Sequence, residues 1–108
     1  LVRQSIHLFL HFAVPALFAA AFYRERFLRA WLIMVATMVV DLDHLLADPV
    51  FDPNRCSIGF HPLHSWPAIG VYALATIPRP TRLVAAGLLI HMFVDGTDCL
   101  WMALADRP

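Results

Sequence analysis

Six histidines and seven aspartates lie in this 108-residue chain at spacings that suit metal coordination. His7 and His11 are four residues apart, as are His91 and Asp95, while Asp41 and His44 are three apart. On a helix each of these pairs shares one face. His61 and His64 do the same if their helix starts early. Imidazole nitrogen combined with carboxylate oxygen is a ligand set for zinc, and also for iron or manganese. The candidate ligands are therefore His7, His11, Asp41, Asp43, His44, His61, His64, His91 and Asp95. One tetrahedral ion would leave several of them unpaired, whereas two ions about 3.5–4 Å apart would use them. Helical bundles hold dinuclear sites through such i,i+3 and i,i+4 pairs on facing helices. Asp43 lies one residue off the Asp41/His44 face, either as a bridging ligand or as a partner orienting an imidazole. Asp98, three residues past Asp95, is either a general base near ion-bound water or a solvated helix end. Asp98 and Asp43 are thus the candidate catalytic proton carriers.

Other chemistries fit less well. A lone histidine on an apolar helix is usually a hydrogen-bonded core residue, but six at one level are not explained that way. Two histidines on facing helices can ligate haem, yet the neighbouring carboxylates would be poorly placed at a porphyrin edge. Cys56 and Cys99 are isolated, so zinc-finger spacing is absent, and a disulfide between them is an open alternative. Ser65 reads as a helix N-cap, with Pro67 in the first turn, rather than as a nucleophile. Glu25 is remote from the histidines, which excludes an H-E-x-x-H protease. With no lysine and a net charge of zero, nothing resembles a nucleic-acid-binding face.

The elements that must position these residues are apolar. The chain is 60% hydrophobic and 15% charged, against about 25% charged in soluble domains. The apolar residues fall in four blocks, about 5–23, 27–46, 66–77 and 83–105. Three are near the roughly 20 residues needed to cross a bilayer core. The first could pass for a signal peptide, but His7 and His11 interrupt it, so it reads as a retained span. The third block is short and can cross only if the preceding loop dips in beside it. That loop, about 48–63, is rich in turn formers: Asp48-Pro49, Asp52-Pro53-Asn54, Gly59 and Pro62. The expected fold is all-α: one domain over 1–108, an integral membrane bundle of four helices. A long, partly re-entrant loop joins helices 2 and 3.

Arginine sets the orientation. Arg24, Arg26, Arg29, Arg79 and Arg82 fall on one face of this topology; Arg3, Arg55 and Arg107 fall on the other. The excess places the short turns in the cytoplasm, with both termini and the long loop outside. All six histidines then lie toward the outer end, although the topology was drawn from hydropathy and arginine alone.

The run VVDLDHLLADPVFDPNRCSIGFHPLHS, followed by HMFVDGTDCLW, resembles a small family of uncharacterised bacterial membrane proteins. That family is similar to the membrane-bound metal-dependent hydrolases, which combine an N-terminal His, a D-x-D-H motif, a paired-His motif ending in His-Ser and a late H-x-x-x-D. The matching positions are His7, Asp41, Asp43, His44, His61, His64, His91 and Asp95. The chain departs from the hydrolase pattern in carrying HPLHS in place of the longer H-R-x-x-T-H-S. The resemblance implies a metal-dependent hydrolase of the bacterial inner (cytoplasmic) membrane, its site facing the non-cytoplasmic side. Its substrate would be a lipid phosphoester or a related amphipathic ester. One or two divalent transition metal ions, zinc first and iron or manganese next, would lower the pKa of water to near ~7. The alternative is a non-enzymatic metal-binding or haem-binding membrane subunit of a larger complex. An open coordination position with a path for substrate separates the two readings.

Overall fold

A computed structural model describes residues 2–50 and 55–105, all of whose regular structure is helical. The expectations for Asp52, Pro53, Asn54 and Arg107 lie outside the described residues. Helix α1 spans Val2–Phe22, α2 Phe27–Ala36, α3 Trp66–Ala75 and α4 Arg79–Ala105. Two of them, α1 and α4, are long and apolar enough to cross a membrane. Leucine and alanine supply 17 of their 48 residues, and both favour helix. After α1 the chain turns through one 3₁₀ turn, Arg24–Arg26, and α2 returns alongside.

The second apolar block does not stay α-helical. From Thr37 to Leu46 the winding tightens to a 3₁₀ helix of ten residues, where runs beyond 3–4 residues are uncommon. The cause lies at the α2–α4 crossing. A Cβ added to Gly87 would stand 2.9 Å from Met34 Cα and 3.0 Å from Thr37 Cγ2, so the two backbones are in near contact there. Thr37 Oγ1 donates to the Met34 carbonyl, a local bond that competes with the regular i→i−4 pattern. With three residues per turn, the segment sorts into columns. Thr37, Val40 and Asp43 are buried. Val39, Leu42 and Leu45 are 60–67% exposed. Met38, Asp41 and His44 form the third column, facing a cavity.

Helix α3 starts where Ser65 caps it: Ser65 Oγ accepts from the Ala68 N–H and donates to the Pro62 carbonyl, with Pro67 in the first turn. Its C-terminal carbonyls are taken up by the next helix. Arg82 donates to Thr76 O at 2.7 Å and Ile77 O at 2.6 Å, and Thr81 to Ala75 O. These contacts let α4 begin at Arg79, four residues before the apolar block. Pro80 sits in the first turn, where a missing N–H costs nothing.

Burial is inverted relative to a water-soluble bundle. His11, Thr37, Asp43, His61, His64, His91 and Asp95 are buried, while Leu17, Phe22, Phe9, Leu46 and Trp66 are 66–79% exposed. The apolar core is small: Ala19, Ala30 and Met34 cluster with Phe18, Tyr23, Trp31, Leu83 and Ile90 against them, and Val40, Ala85, Met92 and Val94 are also buried. Cys56 and Cys99 form a disulfide that ties the loop to α4 across 43 residues. Closing a loop of that length stabilises a fold by up to about 4 kcal/mol in the chain-entropy account.

Candidate metal centre

Four segments converge on one carboxylate. From α4, Asp95 sends Oδ1 to His11 Nε2 at 3.0 Å and His7 Nε2 at 3.1 Å, both on α1. Its other oxygen, Oδ2, stands 2.9 Å from His64 Nε2 and 3.1 Å from His91 Nε2. Asp41 Oδ1, from the 3₁₀ segment, completes that second group at 3.2 Å from His64 Nε2 and 3.0 Å from His91 Nε2. The two histidine nitrogens in each group are 3.2 Å apart. Ligands about 2.0–2.1 Å from one tetrahedral ion stand roughly 3.3 Å from each other. Both groups are close to that spacing.

The proton inventory argues for a cation. Asp43 Oδ2 accepts from the Leu63 N–H and from His64 Nδ1, each at 2.9 Å. The proton on Nδ1 leaves the neutral ring with a lone pair at Nε2. That lone pair faces a carboxylate oxygen of Asp41, another of Asp95, and His91 Nε2. Asp95 Oδ2 is buried and accepts no hydrogen bond among the described residues. His64 lies on the turn before α3 and is fully buried. Burial disfavours its charged form, but Asp41, Asp95 and Asp43 outweigh burial and raise its pKa to about 10. The pocket thus demands positive charge, and buried His and Asp groups of this kind could hold a metal ion.

The two groups differ in closure. Asp41, His64, His91 and Asp95 offer four ligand atoms, enough for a tetrahedron. His7, His11 and Asp95 offer three. The three-ligand group opens on a 450 Å³ cavity that its own side chains line. Gln4, His7, Leu8 and His11 form one helical stripe of the wall, and Met38, Asp41 and His44 form the opposite wall. Arg3, Arg55, Ser57 and Asp98 also line it.

The nine expected ligands therefore divide. Six meet around Asp95. His44 and His61 stand apart, their rings stacked with centroids 3.9 Å apart. With Asp43 they form a third possible group. His44 Nδ1 is 3.0 Å from the Asp41 carbonyl and 3.2 Å from Asp43 Oδ1. Burial holds the His61 imidazole below its usual pKa, and His44 adds to the effect. Of the two alternatives for Asp43, the structure shows a carboxylate that orients the His64 ring. Asp98 is not among the ligands: both its oxygens accept from Arg3 Nη1, at 2.9 and 3.0 Å. Of the two expected proton carriers, Asp98 lines the cavity and Asp43 stands behind His64.

Sequence reasoning missed Gln4, Arg3, Arg55 and Ser57 as cavity residues. Gln4 carried a signal, since it lies three residues before His7 on the same stripe. Its Oε1 is buried without a hydrogen-bond partner among the described residues. The other three are brought in by tertiary contacts.

No curated protein and no solved structure matches the chain. Over residues 1–102 it matches DUF6122, a family of unknown function, and the chain belongs to that family.

Proposed function

We propose that this chain is a metal-dependent hydrolase of the bacterial inner membrane, using two divalent ions at the non-cytoplasmic side. The observation that carries the reading is the position of Asp95. One carboxylate is shared by a four-ligand group and a three-ligand group, and the three-ligand group, with Asp41 of the other, lies on a cavity. Structural zinc sites fill all four positions with protein atoms, whereas catalytic ones leave a position for water or substrate. The resemblance to the membrane-bound metal-dependent hydrolases supports the same assignment.

Asp41, His64, His91 and Asp95 would hold one ion, and His7, His11 and Asp95 the other. Zinc suits two imidazoles plus a carboxylate, with iron or manganese as substitutes. When bound, the ions supply Lewis acidity and lower the pKa of water to near ~7. The protein supplies the rest. Arg3 and Arg55 bring guanidinium groups to the cavity, which suit a phosphate oxygen. Leu8, Met38 and Val50 give the same cavity an apolar wall. An anionic ester with an apolar tail, such as a lipid phosphoester, satisfies both surfaces. Asp98 lies one helical turn outward from Asp95 and would serve as the proton carrier at the rim once its carboxylate is released from Arg3. Asp43 fixes the tautomer and angle of His64.

Lengths support membrane insertion of three of the four segments. α1 is about 31 Å long, α4 about 40 Å, and α2 with its 3₁₀ continuation about 35 Å. Each exceeds the roughly 30 Å hydrocarbon core. α3, at about 15 Å, spans only half and relies on the loop beside it, whose Arg55, Ser57 and His61 line the ligand cavity. The arginine-rich turns favour the cytoplasm for the opposite end. The Cys56–Cys99 disulfide supports an oxidising compartment for the loop. Thiol labelling in intact cells should modify Asn54→Cys and spare Glu25→Cys. The reverse pattern contradicts the orientation.

Zinc-loaded protein in detergent should hydrolyse members of a panel of amphipathic phosphoesters. Asp98→Asn should keep its metal while turnover falls by about 10²–10⁴-fold. If metal is bound and nothing in the panel turns over, the non-enzymatic metal-binding subunit becomes the better reading.

A further inference from the structure

The end of the molecule away from the ligands carries a second polar cavity that the hydrolase reading leaves unused. It is a cleft of 470 Å³ between the α1–α2 turn and the start of α4. Arg26, Arg29, Arg79 and Arg82 line it, together with Tyr23. Arg82 is occupied by the α3 carbonyls. Arg26, Arg29 and Arg79 form no ion pair among the described residues, and none of the cleft's lining residues carries a carboxylate. Three guanidinium groups around one cleft repel each other unless an anion lies between them.

The apolar part of the cleft is arranged in register with the charges. Ala30 lies four residues after Arg26, Ile33 four after Arg29, and Leu83 four after Arg79. Each pair shares a helix face, so each arginine at the rim has an apolar side chain one turn farther in. Val84 completes that wall. Membrane orientation needs only the charge of these arginines, and gains nothing from a cleft or an apolar wall behind it.

We infer that this cleft binds the phosphodiester headgroup of an anionic two-chain lipid, with Arg26, Arg29 and Arg79 on the phosphate and the acyl chains against Ile33, Leu83 and Val84. Basic pockets between membrane helices on the cytoplasmic side bind lipid headgroups in this way. The inference requires the membrane location but not the metal chemistry. Arg82, the deepest of the arginines along α4, is nine residues from His91, about 14 Å along the helix.

The test uses the full chain in mild detergent, with apparent affinity read from the rise in melting temperature. Phosphatidylglycerol should stabilise the parent protein, while phosphatidylcholine and inorganic phosphate should not. The triple variant R26Q/R29Q/R79Q should lose affinity for phosphatidylglycerol by roughly 100-fold or more. Val84→Trp, at a half-exposed position on the wall, keeps every charge and fills the cleft, and it should lose most of the stabilisation as well. Equal stabilisation by phosphatidylcholine overturns the inference, as does a full effect from inorganic phosphate, which would make this a free-anion site. Parent-like binding by Val84→Trp also overturns it, and that variant decides the matter alone if the triple variant does not fold. Metal content measured on the same samples reports separately on the other end of the molecule.

Discussion

The two ligand groups that meet on Asp95 differ in ligand number and in how their histidines are enclosed, while each has one partly exposed ligand, Asp41 at 37% and His7 at 27% of side-chain surface. His64 has no exposed side-chain surface, and the Leu63 N–H holds the Asp43 carboxylate that orients it. His7 keeps 27% of its side-chain surface exposed, and its Nδ1 has no partner among the described residues. One group draws its ligands from three separate elements and leaves no position free. The other takes both imidazoles from neighbouring turns of α1 and faces the cavity. On the proposed function, the four-ligand group would retain its ion and the three-ligand group would exchange with water and substrate. A site in which both ions were equally enclosed would have no place for chemistry, and one with both exposed would lose metal readily.

The largest effect should come from the shared residue. Asp95→Ala removes a ligand from both groups: the three-ligand group, left with two histidines, should lose its ion, and the four-ligand group, left with Asp41, His64 and His91, should bind more weakly. The unpaired histidines would be left in a buried pocket, at a cost of roughly 3–5 kcal/mol, measurable as lost heat stability in detergent. Two equivalents of metal retained by this variant would mean that the carboxylate is not shared. Next in size is the difference between single histidines. His64→Ala leaves buried carboxylates unpaired and should destabilise by about 1–3 kcal/mol. His7→Ala, half open to the cavity, should change stability by no more than about 0.5 kcal/mol while abolishing turnover. Equal destabilisation by both would erase the distinction. A smaller change follows from Asp43→Asn, which should weaken metal binding in the closed group by about 10–100-fold and leave the open group unchanged. Smallest in energy, yet diagnostic, is the order of loss to a mild chelator. The ion held by His7 and His11 should leave first, seen as two phases in a competition titration.

Much of this site was legible before the structure. His7/His11 and His91/Asp95 are i,i+4 pairs on regular helices, so their shared faces follow from helix geometry alone. Their common depth followed from where the arginines lie. The D-x-D-H motif was harder to place. In an α-helix Asp43 would sit about 160° round from Asp41, facing away from the site, whereas the 3₁₀ winding sets the two about 120° apart, with Asp43 in the core beside His64. That winding depends on how closely Gly87 approaches Met34 and Thr37, a contact between residues 50 apart that no local propensity encodes. The same holds for the stacking of His61 on His44 and for the Arg3–Asp98 ion pair. Each joins segments whose relative placement is fixed by packing, so their residue types were visible while their partners were not. The length of α4 was underestimated because its first turn is polar and is held by capping contacts to α3 rather than by apolar burial.

The central claim is that two ions share Asp95, one in a closed group and one in an open group. Elemental analysis of purified protein tests it most directly, comparing the parent with the His7→Ala/His11→Ala double variant after expression in zinc-supplemented medium. The account predicts two equivalents of metal in the parent and one in the variant, with the variant still folded. No metal in the parent, or the same metal content in both proteins, would contradict it.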